Sequence, residues 1–265
     1  MTLIFLGGLT RSQLSSWVER IKEGTILSVL ASLLARLHNV LRDEPSLELN
    51  GEYVALWPAV LSNANSYHLR AVAEMLWQLL SQALDIYPIN IGYLKLMGDL
   101  NFVMNHYAIA MKYYLEAAIV ASDFFGQPIP RTVIDDSIFR RMIKCCTQLQ
   151  CHTQDPLSFS LLAAVLCQFL EEVDYVTAFK SLGERGGSTA DAADAHLASC
   201  VWDITLLEFL VHLHAKRGEI QRKQQAIKVI GLLELNSNNN EEIQREAANI
   251  RKARFLRAIS RQYVM

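Results

Sequence analysis

With 265 residues, the chain is long enough for one elongated or two compact domains and a substantial buried core. It is 51% apolar and 20% charged, which excludes intrinsic disorder, and a formal net charge of −2 excludes a global pull toward nucleic acid or anionic lipid. Only 12 Gly and 6 Pro punctuate it, too few for the turns that an all-β or α/β chain of this length needs.

The opening Met1–Gly8 is apolar, but it is too short for the h-region of a signal peptide and lacks a basic n-region, so it reads as the buried start of a helical layer. The first periodic segment is 25–41. Ile26, Leu30, Leu33, Leu37 and Val40 recur there at three- and four-residue steps, and Leu27, Leu34 and Leu41 widen the stripe. So broad a stripe predicts a helix packed on two sides. Asp43-Glu44-Pro45-Ser46 ends it.

A second amphipathic stretch, 66–84, carries Leu69, Val72, Ala73, Leu76, Leu79, Leu80 and Ala83 and stops at Tyr87-Pro88-Ile89-Asn90. Helical patterns follow at 91–103, 107–122, 133–150, 158–170, 175–182, 196–216 and 221–235. Their links are mostly short and polar, which forces antiparallel neighbours. Gly183–Ala193 is predicted to be a surface loop. Asn239 is the expected cap of the last helix, with Glu242 completing a capping box, and that helix runs to about Tyr263. No uninterrupted apolar run reaches the roughly 18 residues of a membrane span, so the chain reads as soluble, with no membrane contact.

The segment Ile91–Phe124 fits a tetratricopeptide unit of about 34 residues. Leu94, Met97 and Gly98 stand on its first helix, and Tyr107, Ala110, Tyr114 and Ala117 on its second. The small residues let two antiparallel helices approach closely while the large ones fill the gaps. Asn101 departs from the pattern where an aromatic is usual, and Ser122 where proline is usual. Weaker copies occupy Ser66–Pro88, Asp174–Ala178 and Ile204–Asn236. The expected fold is all-α, with tetratricopeptide-like helical hairpins forming an α-solenoid; an irregular helical bundle is the alternative. It divides into an N-terminal layer (1–65), degenerate repeats (66–240, best unit 91–124) and a basic amphipathic capping helix (241–265).

No catalytic constellation is present: there is no G-x-S-x-G, Walker loop, G-x-G-x-x-G or H-E-x-x-H. Five cysteines at irregular spacing give no disulfide framework and favour a reducing compartment. Cys145, Cys146, Cys151 and His152 form the closest approach to a metal-ligand set, but adjacent helical cysteines diverge, and buried core thiols are the stronger reading. His212 and His214, two apart on a helix, point to different sides. Asp135-Asp136 at a helix start favour the macrodipole. No metal or cofactor is expected.

A peptide-clamp repeat places a lysine and an asparagine one turn apart on its first helix. Here the spacing gives Lys95 and Asp99, and the aspartate repels a carboxylate. The end helix interleaves Arg245, Arg251, Lys252, Arg254, Arg257 and Arg261 with Ile243, Ala247, Ile250, Phe255, Ile259 and Tyr263. It reads either as a capping helix with solvated cations, which carries more weight, or as a helix that binds RNA or an acidic partner. Arg251, Arg254, Phe255 and Ile259 are its candidate partner-docking residues.

The stretches Leu94–Leu100, Arg141–Cys146, Cys151–Gln154, Ala164–Leu170, Tyr175–Leu182, Lys216–Glu219 and Leu233–Asn236 occur in an order that resembles the C-terminal region of the Integrator complex subunit 8 family. The likeness is firm from about Tyr93 to Met265, and Asp155–Ala163 looks like an insertion within it. It implies a nuclear, non-catalytic scaffold in an assembly that cleaves nascent RNA, including small nuclear RNA precursors, and attenuates RNA polymerase II. It also implies attachment of protein phosphatase 2A and packing against other Integrator subunits, notably the fifth. The family's phosphatase-recruiting motif lies near the N-terminus of the full-length protein and has no counterpart here. A stand-alone tetratricopeptide adaptor that binds peptides is the alternative.

Overall fold

The computed structural model describes residues 16, 18–57, 67–150, 156–183, 200–235 and 241–264, and every regular element among them is helical. The helices are α1 (Gly24–Arg42), α2 (Leu69–Ile86), α3 (Ile91–Val103), α4 (Tyr107–Ala121), α5 (Asp136–Gln150), α6 (Pro156–Cys167), α7 (Tyr175–Gly183), α8 (Ile204–Arg217), α9 (Ile220–Leu235) and α10 (Glu241–Tyr263), with a 3-10 turn at Gly51–Leu56. The chain divides into two compact units, Met1–Tyr113 and Tyr114–Met265.

In the first unit α1 packs on α2 and on the 3-10 turn, and α2 packs on α3. Leu27, Leu30, Leu33, Leu34 and Leu37 of α1 form one cluster with Val72, Leu76, Leu79 and Leu80 of α2 and with Leu96, Met97 and Leu100 of α3. Each such side chain contributes about 1.5–3 kcal/mol on burial. Leu30, Leu33 and Leu37 of the expected row are buried together with Leu27 and Leu34, whereas its two ends, Ile26 and Val40, are 42% and 40% exposed. The two β-branched ends of the predicted row therefore face out. By length and composition α1 could cross a membrane, but more than half of it is buried inside this unit, as in the core helix of a globular fold.

Polar side chains hold the reversals of this unit. The buried Asn39 amide donates to the Leu47 carbonyl (2.7 Å) and accepts from the Ser46 and Leu47 amides (3.2 and 3.0 Å). Gln82 donates to the carbonyls of Val18 and Ile21, each at 2.8 Å. Asn90 caps α3 by accepting from the Tyr93 amide. The Tyr93 hydroxyl donates to the Gly24 carbonyl (2.9 Å) and meets Ser28 Oγ at 2.7 Å, tying α3 to the first turn of α1.

In the second unit α5 packs on α6, α6 on α7, α7 on α8 and α8 on α9. The start of α5 lies at Asp136 rather than 133. The Pro130 carbonyl takes the amides of Val133 and Ile134 in a turn, and Asp135 Oδ1 then caps the helix through the Ile138 amide (3.0 Å). Pro156 opens α6, a position where its missing N–H costs nothing. Residues 156–163 of the apparent insertion supply the front of α6, with Leu161, Leu162 and Ala163 buried. Helix α8 begins at Ile204 after non-helical residues 200–203, because Asp203 caps it by accepting from the Leu206 amide; the earlier part of the expected segment, 196–199, lies outside the described residues. Asn239 and residues 184–193, expected as a cap and a loop, lie outside the described residues.

Gln168 closes this unit. Its side-chain carbonyl accepts from the amides of Trp202 (2.8 Å) and Asp203 (2.9 Å), and its amide donates to Val165 O (3.2 Å), so the end of α6 is fastened to the start of α8. Around it Phe169 contacts Phe139, Trp202 and Phe255, with ring centroids 5.1, 5.1 and 5.7 Å apart. Gln168→Met keeps the shape but strands two backbone amides. It is expected to lower unfolding stability by about 1–3 kcal/mol for each amide left unpaired. A denaturant melt with an unchanged midpoint would remove this anchor from the account.

Candidate interaction surfaces

The positions singled out in the best repeat are placed as follows. Leu94, Met97 and Gly98 are buried on α3, and Ala110, Tyr114 and Ala117 are buried on α4. Tyr107 is half-buried: its hydroxyl donates to Asn105 Oδ1 and its ring meets the edge of Phe102 at 5.9 Å. The two departures have local explanations. Asn101 is fully buried and donates to the Met97 carbonyl (2.8 Å). Ser122 ends α4 where proline is usual, its hydroxyl donating to Ala118 O (2.6 Å) and accepting from the Phe125 amide (3.0 Å).

Groups with potential chemistry are quiet. Cys145, Cys146, Cys167 and Cys200 are buried cysteines that form no disulfide. Burial pushes Cys145 and Cys167 up to about 12 and Cys146 well above its ordinary value, so these three stay protonated and poorly nucleophilic. Cys151 and His152 lie outside the described residues. His212 is exposed while His214 is buried, and among the described residues no group of three metal-ligating side chains comes together. Asp99 is buried and Lys95 half-buried, which leaves no open clamp at that pair.

His214 instead closes α8. Gly218 adopts the left-handed conformation (φ 73°), and the amides of Gly218 and Glu219 return to Ala215 O and His214 O. Glu219 Oε2 then contacts His214 Nδ1. Burial raises the Glu219 pKa, but the hydrogen bond from His214 and the charges of Arg222, His214 and Arg217 outweigh it, and the carboxyl titrates below its ordinary 4.5.

The end helix is anchored rather than free. Phe255 and Ile259, two of the four candidate docking residues, are 0% and 1% exposed within the second unit, so their side chains act as internal anchors of α10 in this fold. Of the other two, Arg254 is exposed and Arg251 half-buried, the latter's pKa lowered by burial and then by Arg254. The outer side of α10 presents Ile243 (53%) and Ile250 (55%).

Two surface features stand out. Helix α9 packs on α8, but of its side chains described here only Ala226 is buried. Ile220 (67% exposed) and Ile227 (48%), two turns apart, share its outer face. Gly231 follows one turn later, and a Cβ built there meets nothing within 4 Å. The second feature is an open cleft of about 590 Å³ between α10 and the chain that follows α4. Phe125, Phe139 and Phe169 supply aromatic wall, and Arg131, Lys252 and Arg257 supply positive charge.

The family model described as "INTS8, TPR repeats" matches residues 7–263. The chain belongs to the INTS8 TPR-repeat family. Its ten helices among the described residues, arranged in hairpins without strands, fit an all-α solenoid of such repeats. The chain is 42% identical to Integrator complex subunit 8 of Homo sapiens over 258 residues, which is 97% of this chain and 25% of the human protein. It is 40% identical to the Xenopus laevis protein of the same name over the same share of each chain. An Integrator complex subunit 8-like protein of Dictyostelium discoideum is 24% identical over 179 residues, 65% of this chain and 84% of that protein. The chain thus spans a quarter of the length of its vertebrate INTS8 relatives and corresponds to their C-terminal region.

Two outcomes are expected. Gly98→Leu, placing a large side chain at a buried position of α3, should cost about 1–3 kcal/mol by overpacking. An unchanged melting temperature would show that no close helix crossing depends on Gly98. The depressed Glu219 carboxyl stabilises the fold above its unfolded value near 4.5, and that contribution drains as pH falls through the lower folded value. Glu219→Gln should therefore lower stability at neutral pH and shrink the difference from wild type in acid. Parallel stability curves with a constant gap would contradict the assignment.

Proposed function

We propose that this chain is a non-catalytic scaffold segment of the Integrator complex, working by burying helical faces against neighbouring subunits. Membership of the INTS8 family and the names of the vertebrate relatives support the assembly. The observation that carries the mode of action is α9. Ile220 and Ile227 leave apolar surface in water that a second helix could cover for about 25 cal/mol per Å². Gly231 supports the same reading. A helix-interior glycine costs roughly 0.5–1 kcal/mol relative to alanine, and its Cβ position opens on empty space rather than on a close contact within the chain. A helix approaching from outside gives that glycine a use.

In this reading the segment supports small nuclear RNA 3′-end processing and attenuation of transcription by RNA polymerase II in the nucleus, through protein contacts alone. The fifth subunit is the proposed neighbour. Protein phosphatase 2A is engaged indirectly or through an N-terminal region of the family that this chain does not cover.

The test is affinity purification of the tagged chain from nuclear extract beside Ile220→Asp/Ile227→Asp, whose substitutions sit on exposed positions and spare the core. Wild type should recover Integrator subunits and the double variant should lose them. Equal recovery by both would move the docking surface away from α9. Gly231→Ala should raise the melting stability of the isolated chain by about 0.5–1 kcal/mol while weakening recovery of the partner subunits. Gains in both measurements together would show that no partner needs the glycine.

A further inference from the structure

The chain that leaves α4 takes an uncommon path into the cleft of the second unit. Asp123, Phe124 and Phe125 have φ of 48°, 54° and 60°, three consecutive non-glycine residues in the left-handed region. Each costs roughly 1–2 kcal/mol, and such strain is kept where the surroundings over-determine it. Here the bracing is visible. Ser122 and Ile119 hold the turn from α4, and Arg257 of α10 donates to the carbonyls of Phe124 (3.5 Å) and Phe125 (2.8 Å). The effect is to turn the Phe125 side chain into the cleft wall and to leave Phe124 69% exposed beside it.

The opposite wall is α10, which brings Ile250, Lys252 and Leu256 to the cleft. Lys252 Nζ lies 5.8 Å from the ring centroids of both Phe169 and Trp202. Burial and then the charge of Arg131 lower its pKa, so the ammonium sits in a positive and partly dry place. Arg131 pairs with Asp136, whereas Arg257 directs only Nε and Nη2 at carbonyls, which leaves its charge without a carboxylate among the contacts described. Glu246 is the acid of the lining, and it is exposed. The cleft therefore combines an aromatic floor with an excess of cationic charge.

We infer that this cleft, between α10 and the strained turn at Asp123–Phe125, is a docking site for an acidic peptide segment that carries a large apolar side chain. The apolar side chain enters against Phe125, Phe139 and Phe169, and the acidic residues meet Lys252 and Arg257. A single small molecule suits the site less well, because the cleft is partly open and the exposed Ile250 at its wall and Phe124 beside it carry apolar surface out into water. Arg257 is a positioning residue: it holds the strained turn through two carbonyls and so shapes the wall.

A random peptide library displayed on phage and selected on the immobilised chain tests this. The expected enrichment is for sequences with several Asp or Glu around one Leu, Ile, Met or aromatic residue. A synthetic copy of the strongest sequence, followed by fluorescence anisotropy, should bind Lys252→Glu at least about tenfold more weakly, and Lys252→Arg nearly as well as wild type. Ile250→Glu and Phe124→Ala change exposed side chains only, and should each weaken binding severalfold even if Lys252→Glu disturbs folding. Enrichment of basic or neutral sequences, no enrichment at all, or affinities indifferent to these surface variants would overturn the proposal. So would oligouridine RNA that competes for the site with the same dependence on Lys252.

Discussion

A chain built of helical hairpins has to turn round inside its own packing, and each reversal strands backbone amides and carbonyls where water does not reach them. This requirement governs both units. At the end of α1 the task falls to Asn39, whose single side chain satisfies one carbonyl and two amides. Between α6 and α8 it falls to Gln168, which does the same with one carbonyl and two amides. Gln82 takes two carbonyls before α1 begins. Leucines could supply more burial energy at these positions, but they could not pair the backbone, and an unpaired buried amide costs about as much as a core leucine contributes.

The same logic explains which parts of the fold were legible in the sequence. Helix spacing was legible because burial imposes a period: 91–103 and 107–122 are matched within a residue by α3 and α4, and 25–41 lies inside α1. Errors fell at starts. Helix α8 begins only at Ile204, after the non-helical residues 200–203, because Asp203 caps it, a short-range signal that the apolar pattern across this stretch overrode. Helix α5 begins three residues late because a turn at Pro130–Ile134 precedes the Asp135 cap. On α1 the middle of the expected row is buried but its ends Ile26 and Val40 are not, since nine large apolar residues in one helix define a broad arc but not which edge of it is wet.

The surfaces were much less legible, for a different reason. Phe255 and Ile259 alternate with arginines, and from the pattern alone they could face a partner or the helix's own unit. The structure buries both, and only the contacts with distant segments, such as Phe255 on Phe169, decide it. The cleft depends on Lys252 finding Phe169 and Trp202, and on Arg257 finding carbonyls more than a hundred residues away. No local spacing encodes such meetings. Nor does the alphabet announce a left-handed Phe-Phe pair, because phenylalanine is among the residues least suited to that backbone.

The energetics of that turn bear on what α10 is for. If the end helix only capped the second unit, its buried Phe255, Leu256 and Ile259 would be enough, and the preceding chain could relax into an ordinary turn. Three left-handed residues together cost several kcal/mol by the usual allowance of about 1–2 each, a substantial share of the 5–15 kcal/mol that holds a domain folded. A charge-assisted hydrogen bond from Arg257 is worth about 1.5–3 kcal/mol and offsets part of it. The arrangement therefore sacrifices stability that simpler packing would keep. In the reading inferred above, what the sacrifice serves is the aromatic wall that Phe125 brings to a positively charged cleft.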